Sequence, residues 1–262
     1  MTRTLGRTAL PVGGHESIPA GTAASTMAGA GEIRGPGRGL RTVLADHPRA
    51  VVVPMTLGRD PGLAPAAAQT LAWAARGRPP GHLLLAEPLG TVTHLVGWLR
   101  AAIMRGLRGG DRTAASLLVA PAAGPDADAD AELFKVARLV WHHLPVHLVE
   151  AALDGGEPAV AEGVERCRRL GAREVMLVPA SFVPPPPCPG TVAAGPLLRP
   201  AAIAALVRER AAEAERRWER DGDDGLGAAA HHGHSHGHSH HHHHAISDDN
   251  ETTLEGAAAH GG

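Results

Sequence analysis

The most constraining stretch of this chain is Ala50-Val-Val-Val-Pro-Met55, a run without a single polar side chain. A strand that alternates polar and apolar residues can keep one face in water. A continuous, largely β-branched run has to be covered on both faces. A parallel sheet between two layers of helices supplies both covers. Similar runs recur at His82-Leu-Leu-Leu-Ala86, Ser116-Leu-Leu-Val-Ala120, Val146 to Leu153 and Glu174-Val-Met-Leu-Val-Pro179. Between them, helical spacing covers Leu63 to Ala75, His94 to Leu107, Asp128 to Leu144 and Pro158 to Leu170, with Pro158 in the first turn and Gly171 past the end. Leu40 to Ala45 reads as a short helix, and Pro200 to Glu219 as a long terminal one. This alternation predicts an α/β fold built of parallel sheets flanked by helices. Ile18 to Gly39 is rich in Gly, Ala, Ser and Thr, lacks periodicity and reads as a loop or poorly ordered insertion.

Composition narrows the partners. The chain has 262 residues, enough for one large or two small domains. Aromatic residues make up only 2 %, so the core must come from Ala, Val and Leu, and bases would find few rings to stack on. The formal charge of −2 provides no basic field, so nucleic acid is not an expected partner. No apolar run reaches the roughly 18 residues a membrane helix needs, and no membrane partner is expected. Arg3 and Arg7 are not followed by the apolar core of a signal peptide. Cys167 and Cys188 form no CxxC pair, so a disulfide framework and a thiolate zinc site are both unsupported. A reducing, cytoplasmic setting follows.

The chain also echoes itself. Val51-Val-Val-Pro54 resembles Met176-Leu-Val-Pro179, and Ala86-Glu-Pro-Leu-Gly90 resembles Ala194-Gly-Pro-Leu-Leu198. Leu10-Pro-Val-Gly-Gly-His15 then falls against Leu118-Val-Ala-Pro-Ala-Ala123. The division expected is an N-terminal half over 1–110, a similar C-terminal half over 111–222 and a tail over 223–262. The polar residues are not repeated: His15 and Glu87 stand against Ala and Gly, so one half holds a site and the other mainly structure.

Ligands of open parallel sheets bind beyond the C-terminal ends of the strands. Three places qualify here. Thr8 to Ser17 reads as a strand running into a Gly-Gly turn that presents His15, with Gly13 and Gly14 leaving open space beside the ring. An imidazole next to a carboxylate and a hydroxyl, Glu16 and Ser17, suits a metal or a proton; the plain alternative is a turn histidine without chemistry. The loop after Ala50–Met55 carries Asp60, a candidate metal ligand or the cap of the next helix. Arg59 is the nearest cation for a carboxylate-bearing substrate. Glu87 follows Leu83 to Ala86 and is read either as a carboxylate in a partly apolar mouth or as a solvated strand-end charge. His94 reads as a first-turn residue rather than a ligand.

Asp221 to Gly227 reads as a polar, glycine-rich linker, and beyond it ten of the fourteen positions from His231 to His244 are histidine. Such a tract cannot bury a core, and disorder is expected. His231, His232, His234, His236, His238 and His240, with the histidines after them, offer interchangeable imidazole sets for Ni²⁺, Co²⁺, Cu²⁺ or Zn²⁺.

Over roughly residues 8 to 210 these motifs, taken in order, resemble one family, the CbiX-type sirohydrochlorin chelatases of cobalamin and sirohaem synthesis. The resemblance rests on Val12-Gly-Gly-His-Glu-Ser17, similar to the family's Gly-His-Gly-Ser motif, on Val51-Val-Val-Pro-Met-Thr-Leu57, and on Glu87-Pro-Leu-Gly-Thr-Val-Thr-His94. Gly155 to Gly163 and Leu170 to Pro179 extend it into the second half. It implies two similar chelatase-like halves around a tetrapyrrole cleft. It further implies ATP-independent insertion of a divalent metal into sirohydrochlorin or a related early tetrapyrrole. The metal is a substrate, Co²⁺ first, with Ni²⁺ or Fe²⁺ as the others, and no organic cofactor is called for. By position His15 matches the family's first active-site histidine, a metal ligand and proton acceptor. The family's second histidine has no counterpart: the matching loops read Leu57-Gly-Arg-Asp60 and Phe182 to Cys188. Asp60 or Glu87 is then the replacement ligand, with Glu87 also a candidate catalytic carboxylate and the histidine tract a metal reservoir. A monomer or homodimer is expected. The alternative is a non-catalytic metal-binding protein or metallochaperone on a degenerate chelatase fold, the first half having lost one strand–helix pair.

Overall fold

A computed structural model describes residues 6–107, 114–124, 126–144 and 146–227. The first part of the chain runs β1 (Thr8–Gly13), β2 (Ala24–Met27), β3 (Gly31–Arg34), α1 (Arg38–Asp46), β4 (Ala50–Met55), α2 (Leu63–Ala74), β5 (Leu83–Leu85) and α3 (Val92–Gly106). The second runs β6 (Ala115–Pro121), α4 (Ala127–His142), β7 (Leu148–Asp154), α5 (Val160–Arg169), β8 (Val175–Pro179), β9 (Val192–Ala193) and α6 (Pro200–Asp221). The fold is α/β, two sheets flanked by helices. One has the order β2-β3-β1-β4-β5, the other β7-β6-β8-β9. All strands pair in parallel except β2, which runs antiparallel to β3 at the edge. The Ala50–Met55 run is β4, internal to its sheet and buried along its whole length.

Ile18 to Gly39 is not a poorly ordered insertion. It forms the β2–β3 hairpin, which extends the first sheet, and Arg38 opens α1. Polar hairpin residues such as Ser25 and Glu32 need only an edge partner, which is why no apolar alternation announces them. Topologically β3 stands beside β1 as β7 stands beside β6. The first half therefore keeps the strand position and lacks only the helix that α4 supplies in the second. Register refines the repeat as well. Val12 pairs with Pro54 as Val119 pairs with Pro179, which sets His15 against Ala122, one residue from the expected Ala123. At α5, Ala159 is the N-cap, so Pro158 lies just outside the helix rather than in its first turn.

Each sheet is finished by a helix from the other part of the chain. α3 leaves the first sheet and lays Leu95, Leu99, Ala102 and Ile103 against Leu133, Val140, Met176 and Val178 of the second. α6 returns to cover Val51, Val53, Met55 and Leu84 of the first with Ile203, Val207 and Ala214. α1 and α2 cover the opposite face of that sheet. Burying one large aliphatic side chain is worth about 1.5–3 kcal/mol, so the buried residues of α3 and α6 together fasten the two sheets.

The segment after α6 is also not a free linker. The carbonyl of Asp224 accepts the N–H of Leu85 (2.9 Å), the Asp223 carboxylate lies 3.2 Å from Arg217 Nε, and Leu226 packs into the core of the first sheet. Gly225 has φ +80°, and a Cβ there would overlap the Leu85 carbonyl and Arg217. The histidines from His231 to His244 lie outside the described residues. No described helix is long and apolar enough to cross a membrane.

Candidate metal and proton site

β1 delivers His15 to the C-terminal edge of the first sheet. Gly13 and Gly14 are needed there for close approach. A Cβ on Gly13 would overlap Ser17 Oγ and Ile33; on Gly14 it would overlap the Asp60 carboxylate. The space beside the glycines is thus occupied rather than open, and its occupant is Asp60. The turn is closed by the N–H groups of Ser17 and Ile18, both donating to the Gly14 carbonyl (3.0 and 2.9 Å).

His15 Nδ1 lies 3.4 Å from Asp60 Oδ2, with the two side chains 21 % and 16 % exposed. His15 Nε2 is buried without a hydrogen-bond partner among the described residues. Asp60 does not cap α2 with its side chain; Gly62 is the N-cap and has no side-chain cap bond. The carboxylate is free to face the imidazole instead.

Glu16, the carboxylate next to His15 in sequence, turns away into the interior and is fully buried. It accepts a hydrogen bond from the Thr56 hydroxyl and another from the Leu57 N–H (2.9 Å). Its own carbonyl accepts the N–H of Phe182 from the second sheet (2.9 Å). Burial raises its pKa, against the opposing pull of Thr56, Leu57 N–H, Arg59 and His15. Glu16 is therefore not the carboxylate beside the imidazole that its place in the sequence suggests. A lone acidic residue beside a Gly-Gly turn looks solvated until the loop after β4 is known to fold over it.

Arg59 is not available to a substrate. Its side chain is wholly buried, Nε donating to the Ala129 carbonyl (3.0 Å) and Nη2 to Asp130 Oδ1 (3.3 Å). It ties the loop after β4 to the start of α4, and burial lowers its pKa. Glu87 is not in an apolar mouth. Its side chain is 65 % exposed and 3.4 Å from Arg217 Nη1 of α6. His94 serves its own helix: Thr91 N–H donates to its Nδ1 (3.2 Å), and its N–H donates to Thr91 Oγ1, completing a capping box. Cys167 and Cys188 are free thiols, the former buried and its pKa pushed up to about 11. The structure thus brings His15 and Asp60 together and leaves Glu87 and His94 apart from them. No cluster of three or more His, Cys, Asp or Glu suited to a metal occurs among the described residues.

Two hollows are lined by sequence neighbours of the pair, though not by His15 or Asp60 themselves. One, of about 510 Å³, lies between the sheets. Ser17, Met27 and Ile203 border it on one side, and Pro179, Phe182 and Leu198 on the other. The second, of about 470 Å³, is acidic: Asp126, Asp128 and Glu132 line it with Gly58, Arg59 and Pro61.

No family model matches the chain. Over 65 residues it is 38 % identical to the sirohydrochlorin cobaltochelatase of Priestia megaterium. That stretch is 24 % of this chain and 21 % of that protein, so the match spans about a fifth of its relative's length. Among solved structures the chain is similar to the sirohydrochlorin chelatase SirB of Bacillus subtilis subspecies spizizenii, determined in complex with cobalt. The TM-score is 0.45 and the identity 15 %, covering 84 % of this chain and 100 % of that one.

Proposed function

We propose that this protein inserts a divalent metal, Co²⁺ first, into sirohydrochlorin or a closely related early tetrapyrrole, without ATP. The observation that carries the reading is the His15–Asp60 pair. Two donors each about 2.1 Å from one tetrahedral ion lie ~3.4 Å apart, which matches the spacing of Nδ1 and Oδ2. Among the described residues two protein donors meet there, so half of a tetrahedral ion's positions stay open for pyrrole nitrogens, and the metal is held loosely enough to be handed on. Insertion forms the metal–nitrogen bonds and releases two pyrrole protons. A neutral imidazole or a carboxylate accepts them and passes them to water. Asp60, rather than Glu87, stands in for the histidine missing from the loop after β4. The hollow between the sheets holds the macrocycle, since Ser17, two residues beyond His15, lines it. The histidine tract serves as a metal reservoir whose root is held beside β5 through Asp224.

The second reading is a metallochaperone or other non-catalytic metal binder. It is supported by the small donor count at the pair and the abundance of imidazole in the tract. One experiment separates the two. The full chain is mixed with sirohydrochlorin and Co²⁺, and the absorbance change of the macrocycle is followed. The enzyme reading expects turnover faster than the uncatalysed reaction, a loss of about 10²-fold or more in His15→Ala, and no change in Glu87→Gln. If His15→Ala matches the wild-type rate, His15 has no part in insertion. If the wild type adds nothing over the uncatalysed rate while still binding Co²⁺, the chaperone reading stands. With the tract histidines changed to serine, the rate should fall at limiting Co²⁺ and recover at saturating Co²⁺.

A further inference from the structure

His15 and Asp60 reach their meeting point from two different loops. The β1–β4 pairing holds the backbones in register as far as Gly13 and Met55. His15 stands two residues beyond that point and Asp60 five. Donors have to be held within about 0.5 Å of their working positions, so something must fix the loops beyond the register. Besides the His15–Asp60 contact itself, the hydrogen bonds that join these loops among the described residues all come from Glu16. Its Oε2 accepts from the Thr56 hydroxyl and from the Leu57 N–H (2.9 Å). Thr56 Oγ1 in turn accepts the N–H of Gly58 (3.1 Å), at the bend before Asp60. The second sheet shows the same place without the link. Ala123 holds the position of Glu16 and Ser181 that of Thr56. With no carboxyl to meet, the Ser181 hydroxyl closes on its own loop, donating to the Val183 carbonyl and accepting the Val183 N–H (3.0 and 3.2 Å). Glu16 is also a costly way to fill space. Its Oε1 is buried with no hydrogen-bond partner among the described residues, and a group left in that state calls for a role beyond packing.

Resting on the reading of His15 and Asp60 as the metal pair, we infer that Glu16 is a positioning residue: it holds the loop after β4 against the turn after β1 and so fixes the distance between the two donors. Its side chain is directed at Thr56 and Leu57 rather than at the ion. Without the acceptor oxygen, the segment from Thr56 to Asp60 is released, the Asp60 carboxylate drifts from the imidazole, and the ion loses one of its two protein donors. The main chain at Glu16 is anchored separately, its carbonyl accepting the Phe182 N–H (2.9 Å), so the side chain can be changed while the turn stays in place. An amide oxygen can accept the same two bonds, and Glu16→Gln therefore preserves the link.

The test uses the full-length chain with the tract histidines changed to serine, so that Co²⁺ is read at the folded part. Co²⁺ is titrated, the visible d–d bands of the bound ion are followed, and the denaturant midpoint is measured alongside. Glu16→Leu should weaken Co²⁺ by about tenfold or more and alter the bands, whereas Glu16→Gln should stay within about threefold of the parent. In the insertion assay Glu16→Leu should raise KM for Co²⁺ and leave KM for sirohydrochlorin unchanged. A purely structural role lowers the midpoint of Glu16→Leu but keeps the parent's affinity and bands, and that result overturns the inference. So does an equal loss in Glu16→Leu and Glu16→Gln, which makes the charge rather than the hydrogen bonds the requirement. Should Glu16→Leu not fold, Thr56→Val, which removes one of the two bonds at nearly constant volume, carries the test. It should weaken Co²⁺ by about threefold or more, with Thr56→Ser restoring the affinity; Thr56→Val binding like the parent overturns the inference. If His15→Ala in this background keeps the parent's affinity and bands, the metal-pair reading itself fails, and the positioning role falls with it.

Discussion

The two sheets share one plan and differ in what stands at their strand ends. β1, β4 and β5 occupy the places that β6, β8 and β9 occupy in the other, and their registers superimpose residue for residue. Beyond the first set come Gly14, His15, Thr56, Arg59 and Asp60. Beyond the second come Ala122, Ala123, Ala180, Ser181 and Phe182, with Ser181 in the place of Thr56. One sheet carries the His15–Asp60 pair, and the other supplies apolar wall, the Ser181 hydroxyl and a backbone N–H. Strand interiors decide whether a sheet forms, whereas the loops that follow them are free to change. A duplicated scaffold can thus keep its chemistry on one side and use the other side as the far wall of the cleft.

The two sheets depend on each other most at the exchanged helices. Leu99 of α3 is wholly buried in the core of the second sheet although it follows the strands of the first. Leu99→Ala should cost about 2–5 kcal/mol, read from the denaturant midpoint. Because α3 and α6 interlock the sheets, the loss should appear in a single transition with one midpoint for both halves. Two separated transitions would mean that the halves are independent and the exchange of helices is incidental.

A smaller effect is expected where the first sheet reaches into the second. Arg59 belongs to the loop after β4, yet both of its described partners are on α4. Arg59→Met fills the volume but leaves the Ala129 carbonyl and part of Asp130 unpaired. Asp130 keeps the N–H of Ala123 (2.9 Å). A loss of about 1–3 kcal/mol should follow, as expected for stranding buried acceptors. Co²⁺ affinity at His15 should change little, since the Arg59 guanidinium is hydrogen-bonded to α4 rather than to His15 or Asp60. A large fall in metal affinity with little loss of stability would reverse the assignment and make Arg59 part of the site.

What the sequence shows of this molecule follows from how local each signal is. Val51 to Met55 and Leu133 to Val140 carry their periods within one element, so strands and helices can be read directly. The α3–α6 exchange leaves no such trace, because Leu95 and Leu99 look the same whichever sheet they cover. The β2–β3 hairpin is hidden by its polar edge composition. At the site, His15 is visible because Gly-Gly precedes it. Its carboxylate partner is not, since Asp60 lies forty-five residues on and only the β1–β4 pairing brings it near. Glu87 misleads for the converse reason. It follows an apolar strand, but β5 ends at the sheet edge, where α6 offers Arg217 and water reaches the carboxylate.

The subtlest test concerns Glu16, which the second sheet has no need of. Its carboxyl is buried and its pKa is raised above the ordinary value of 4.5, burial outweighing the hydrogen bonds from Thr56 and Leu57. The native chain therefore holds this proton at pH values where the unfolded chain has released it. Stability rises with pH only where the unfolded state binds more protons, and here the native state does. The contribution of Glu16 is thus fully present below pH 4.5 and declines as pH rises from there through the raised pKa. Glu16→Gln retains an oxygen to accept from Thr56 and Leu57 but has no proton to lose, so its stability should fall less across that window. The measurement is the difference in denaturant midpoint between wild type and Glu16→Gln from pH 4 to pH 8, which should shift in favour of the variant as pH rises. A constant difference would mean that Glu16 is ionised in the fold throughout, held by Arg59 more strongly than burial opposes it, and that the two loops of the first sheet are joined by a charge rather than by a neutral carboxyl.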